Sequence, residues 1–115
     1  MTPSRRIELT RELYEAFAVG DRDTAERLLA DDFRFSAPPD PLLDRNGFFE
    51  RCWPGAGTNL PFDFKRLIEH GDEVVVTYER TREDGGRGRN TEVLTFDGEQ
   101  IVRSEVYFGW NLPAR

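Results

Sequence analysis

The sequence holds one cysteine, one lysine and one histidine in 115 residues, and each scarcity removes a class of explanation. A lone cysteine, Cys52, cannot close an intrachain disulfide. With only His70 beside it, there is no HxxxH or CxxC spacing from which to build a zinc site. No apolar run approaches the roughly 20 residues that cross a bilayer. The opening MTPSRRIELTRE lacks the apolar stretch of a secretory signal, so a bacterial, cytoplasmic protein is expected. Lysine is nearly absent, and 22 acidic residues outweigh 16 basic ones to give a net charge of -6. Nucleic acid and anionic membranes need a cationic face and are therefore poor partners. Gly85-Gly86-Arg87-Gly88 is glycine-rich but no helix follows it, so it is not a phosphate loop, and no cofactor is expected. Asp31, Asp32 and Asp40 read as strand-start and loop carboxylates and not as a divalent-metal site.

What is present has a clear order. The length fits one domain, spanning residues 1–115. Thr2-Pro3 has the form of a helix start, and Ile7, Thr10, Leu13, Tyr14 and Phe17 recur at helical spacing until Gly20. Asp21 caps a shorter helix with Ala25, Leu28 and Leu29 on its buried stripe. Phe33, Phe35 and Ala37 alternate with polar residues as in a half-buried strand that Pro38-Pro39 stops. Asp44 then caps a third helix carrying Phe48, Phe49, Cys52 and Trp53 on one face. After residue 60 the chain reads as strands: Phe62 to Ile68, Val74 to Arg82, Asn90 to Phe96 and Ile101 to Phe108. Turns at His70-Gly71-Asp72 and Asp97-Gly98-Glu99-Gln100, and a loop from Glu83 to Gly88, separate them. Helices first and a strand meander afterwards predict an α+β fold with three helices packed on a curved antiparallel sheet.

This order, with ELYEAFAVGDRDTAERLLADDFRF and FDGEQIVRSEVYFGW, resembles the SnoaL-like and ketosteroid-isomerase-like branch of the nuclear-transport-factor-two superfamily across essentially the whole chain. The resemblance implies the cone-shaped, cystatin-like fold and a homodimer formed through the outer sheet face. That face is predicted to carry Val93, Thr95, Glu105 and Tyr107. It does not choose the chemistry, because the fold hosts enzymes, carriers and plain binding domains. Carried over position by position, the tyrosine that steroid isomerases place seven residues before the helix-ending glycine falls on Leu13. Their general base falls on Ala37, and their buried acid falls on Glu92. The catalytic aspartate of the cyclase branch falls on Val106. The resemblance thus implies neither a steroid isomerase nor a cyclase of the known type.

Alternation on the third of these strands places Asn90, Glu92, Leu94 and Phe96 on one face. Glu92 is then a carboxyl inside an apolar cup, fit to be a general acid, a base or a ligand anchor, or else the structural partner of Arg80, Arg87 or Arg89. Tyr78, on the neighbouring strand, is the candidate to assist it in catalysis. The cup is expected to be lined by Leu13, Tyr14, Phe17, Phe33, Phe35, Cys52 and Trp53, with Arg80, Asn90, Val106 and Phe108 completing it. Tyr14 reads first as core packing and only second as a pocket residue. Cys52 reads as a small hydrophobe, with no histidine near enough to activate it. Two functions stay open: an enzyme or binder with a pocket for a small hydrophobic molecule centred on Glu92, or a non-catalytic dimerisation or partner module whose interior is filled.

Overall fold

In the computed structural model, which describes residues 4–113, Ser4 begins the first helix, its hydroxyl accepting the Ile7 N–H at 3.0 Å. The Thr2-Pro3 start expected from the sequence lies outside the described residues. Helix α1 (Arg5–Val19) stops at Gly20, whose φ of 81° is left-handed and open to glycine at little cost. A second constraint acts on that position: a side chain there would meet the Cα of Gly57 at 3.2 Å. The chain from Gly57 to Asn59 crosses so closely because its N–H groups donate to the Phe17 and Ala18 carbonyls at 2.9 and 2.8 Å, satisfying acceptors that a helix end leaves open. Asp21 caps α2 (Arg22–Leu28) and Asp44 caps α3 (Arg45–Arg51), each through its carboxylate. A 3₁₀ turn at Trp53–Gly55 follows α3.

The strands are β1 (Leu29–Ala37), β2 (Asp40–Asp44), β3 (Phe62–His70), β4 (Glu73–Thr81), β5 (Arg87–Asp97) and β6 (Gln100–Leu112), in the order β2-β1-β6-β5-β4-β3. The sheet is mixed and not wholly antiparallel, because β1 pairs with β6 in parallel. A long crossover through α3 and four strands separates these two, and only such a connection permits parallel pairing. The strand β2 is a further departure: Pro38 and Pro39 end β1 but the chain folds straight back on it.

The helices cover one face. Leu9 of α1 and Leu28 of α2 are buried with Leu29 and Phe33 of β1, Val74 and Val76 of β4, and Leu94 and Phe96 of β5. Register across β4, β5 and β6 sets three successive rungs: Val74–Leu94–Ser104, Val76–Glu92–Val106 and Tyr78–Asn90–Phe108. The first is fully covered by the helices, and the last is only partly so. No helix among the described residues is long and apolar enough to cross a membrane.

Candidate functional site

Between the helices and the sheet lies a cavity of about 130 Å³. Leu13, Tyr14 and Phe17 of α1 form one wall, and Leu29, Phe33 and Phe35 of β1 a second. Phe48, Cys52 and Trp53 close it from α3 and its end. The sheet contributes Phe62, Tyr78, Arg80, Glu92 and Ser104. Drug-sized sites run to roughly 300–1,000 Å³, so this one is smaller than the expected cup. It is close to the roughly 150 Å³ that holds a benzene ring.

Glu92 is the one carboxyl in this wall. Tyr78 donates its hydroxyl to one carboxyl oxygen at 2.8 Å, and Ser104 donates to the other at 3.4 Å. Asn90 stands behind Tyr78, its amide donating to the phenol oxygen at 3.5 Å. Burial pushes the Glu92 carboxyl above its ordinary value, and the bonds from its hydroxyl neighbours and the charge of Arg80 offset part of that rise. The same burial, with the nearby carboxylate, pushes both Tyr78 and Tyr14 up, so these phenols remain donors. Tyr14 is packed edge-to-face on Phe62, Phe64 and Tyr78 with centroids 5.0 to 5.6 Å apart. Its hydroxyl feels the Glu92 charge yet lies outside hydrogen-bond geometry, leaving a buried donor without a partner.

Arginines of the hairpin tip do not reach Glu92. Arg87 and Arg89 turn to the opposite face and engage Glu79, Arg89 through two nitrogens and Arg87 at 3.6 Å. Among the described residues Glu92 forms no ion pair, so the reading of it as an arginine's counter-charge is not met at contact distance. Arg80 stays on the cavity side, its guanidinium 4.7 Å from the Phe62 ring centre and 5.4 Å from that of Phe17.

Three expected lining residues lie elsewhere. Asn90 supports Tyr78 from behind, and its oxygen accepts the Gly109 N–H. Val106 is half-buried beside Glu92 but outside the cavity, and Phe108 is 59 % exposed. Their alternation is right, but the last β1 partner of β6 is Ser36, opposite Glu105. Beyond that rung β6 outruns its neighbour and its helical cover. Leu29, Phe48, Phe62 and Ser104 were not among the expected lining residues. Ser104 was discoverable as the small polar residue two positions before Val106 on an inward face.

Leu13, at the position counted for the isomerase tyrosine, lines the cavity without a hydroxyl, and its neighbour Tyr14 lines it too, with a hydroxyl near Glu92. Ala37 lines no part of the cavity, so no second carboxyl is supplied from β1. Cys52 is half-buried with its thiol pushed up to about 11, chiefly by burial and next by Asp40, which leaves it a poor nucleophile. Among the described residues no three His, Cys, Asp or Glu side chains gather to hold a metal ion.

A model of the SnoaL-like domain matches residues 10–104. No match is found among curated proteins. Solved structures share the fold at low identity. A nuclear-transport-factor-two-like protein of unknown function from Burkholderia xenovorans LB400 has a TM-score of 0.79 at 19% identity, over 96% of this chain and 88% of that one. A protein of unknown function with a cystatin-like fold from Xanthomonas campestris has a TM-score of 0.73 at 13% identity, over 90% of each chain. TerC, co-crystallised with polyporic acid, has a TM-score of 0.76 at 21% identity, over 92% of each chain.

Proposed function

Since this chain belongs to the SnoaL-like domain family, we propose that it binds a small, mostly apolar molecule of about one ring in the cavity, with an oxygen of that molecule directed at Glu92. The observation that carries this reading is a buried carboxyl, free of any ion pair with a described residue, set in an aromatic wall and steadied by Tyr78 and Ser104. Burial raises the proton affinity of this carboxyl, which suits it to share a proton with a carbonyl, enol or phenol oxygen, and the Tyr14 hydroxyl beside it is a second donor to the same atom. With a single carboxyl in the wall, any turnover is proton transfer through Glu92 itself, as in a cofactor-independent isomerase, lyase or hydrolase.

Phenol and 2-cyclohexenone are suitable probes of size and chemistry. Titrated into the protein, they should shift the amide resonances of Cys52, Trp53 and Tyr78, and Leu13→Phe, which fills the cavity, should abolish the shifts. Failure of both probes to bind at millimolar concentration would sink the proposal.

A second reading, not exclusive of the first, is favoured by exposed aromatics on β6: Tyr107 is 55 % and Trp110 63 % exposed. A register shift opposite Gly88 and Asn90 brings Trp110 beside Arg89, whose guanidinium lies 5.6 Å from its ring, on the side bearing Glu79. Such a patch is a surface for a second copy of the chain. Light scattering should then return twice the chain mass of 13.3 kDa, and a monomer at tens of micromolar would remove this reading alone.

A further inference from the structure

The cavity wall holds one cation as well as one acid, and the two are not paired. Arg80 Nε is buried without a hydrogen-bond partner, and Arg80 forms no ion pair with a described residue. Its guanidinium carbon stands over the rings of Phe62 and Phe17, at 4.7 and 5.4 Å from their centres. Rings accept no directed hydrogen bond from the guanidinium edge, and that fork matches a carboxylate in two parallel bonds. Leaving a buried N–H unmade costs free energy that a pairing ligand recovers.

The register places Arg80 four residues along β4 from Val76, the partner of Glu92, a separation of about 13 Å between backbones at ~3.3 Å per residue. Tyr78 lies between them on the same face. The side chains of Arg80, Tyr78 and Glu92 line the same cavity. The space is of ring size, about 130 Å³. Arg80 is the cation that lines this cavity among the described residues, in a chain of net charge -6.

Resting on the cavity as a small-molecule site, we propose that its ligand is a single-ring carboxylate, the carboxylate paired with Arg80 and the far edge of the ring turned to Glu92 and Tyr14. Arg80 is then the residue that selects anions over neutral molecules of equal shape.

Benzoate, its neutral isostere benzamide, and phenol test this in titrations of the full chain at pH 7. Benzoate should bind about tenfold or more tightly than benzamide, as expected for hydrogen bonds to a charged group. Arg80→Met keeps the stem and removes the charge, and it should erase that preference, benzoate losing far more affinity than phenol. Equal affinity for benzoate and benzamide, or an equal loss for benzoate and phenol in Arg80→Met, overturns the proposal. Phenol binding without a preference for benzoate overturns it while leaving the cavity reading intact; failure of all three probes removes both. Should Arg80→Met not fold, the wild-type preference still decides. Arg80→Lys serves as the second variant: it should keep a weaker preference for benzoate, and its loss of all preference in the company of unchanged wild-type selectivity would assign the effect to the guanidinium fork.

Discussion

Two glutamates on one hairpin show how differently the faces of this sheet treat the same side chain. Glu79 of β4 points away from the helices and lies among Lys65, Arg87 and Arg89; the hydrogen bond from Arg89 foremost, and then the surrounding cations, hold its carboxyl below the usual range. Glu92 of β5 points toward the helices, meets two hydroxyls and no cation at contact distance, and burial pushes its carboxyl up. Tyr78 and Arg80, which flank Glu79 in sequence, both line the cavity with Glu92. Alternation by one residue therefore separates a carboxylate held among cations from a carboxyl buried in the cavity wall. The comparison also shows why the three arginines weighed as partners of Glu92 serve different ends: Arg87 and Arg89 follow Glu79, and Arg80 stays on the cavity side.

Reversing the charge at each site is the strongest way to break the comparison. Glu92→Lys places an ammonium in the cavity beside Arg80 with no carboxylate to meet it, and should cost about 3–5 kcal/mol in urea denaturation, the penalty of an uncompensated buried charge. Glu79→Lys, on the outer face, should fold with a clearly smaller loss. Equal losses would mean that the two faces do not differ in solvation as described.

A pH series sharpens it, because the two carboxyls carry opposite signs. The pKa of Glu92 is raised above its ordinary 4.5, so its stabilising contribution is full below that value and is lost as pH climbs through the folded pKa. Wild type should therefore gain on Glu92→Gln as pH falls from 7 to 4, by about 1.4 kcal/mol for every tenfold difference in proton affinity between folded and unfolded chains. The pKa of Glu79 is lowered from the same 4.5, so its contribution is present above that value and is lost as pH falls through the folded pKa. Wild type should lose ground to Glu79→Gln over the acid limb. Denaturation curves of the two variants with the same pH slope would contradict the assignment.

The smallest effect expected is that of salt. Going from 0.1 to 1 M shortens the screening length from about 10 to about 3 Å, so the cost of Glu79→Gln should shrink. The cost of Glu92→Gln, whose partners are neutral hydroxyls inside the fold, should not move. A salt-sensitive Glu92→Gln would indicate that water and ions reach the cavity freely.

Much of this was legible in the residues. Asp21 and Asp44 as caps, Gly20 as a helix end and the inward row Glu92, Leu94 and Phe96 all follow from rules that act over a few neighbouring residues. Ten of the thirteen residues expected at the site line the cavity, because α1, α3 and the strands were each read by their own period. The exceptions share a cause. Phe108 obeys the alternation of β6 but sits past the end of β1, and Tyr14 outranks Leu13 only because of how α1 rests on Phe62 and Tyr78.

The sequence by itself determined the helix caps, the strand periods and the side of the sheet on which Glu92 stands, since each depends on local backbone geometry and on which face must be dry. Only the tertiary structure decided that β1 lies parallel to β6, that Arg87 and Arg89 go to Glu79 while Arg80 faces the cavity, and that the space left is about 130 Å³. Those outcomes depend on which distant segments meet, and on the volume remaining once aromatic side chains from six elements have packed against one another, quantities that no local pattern encodes.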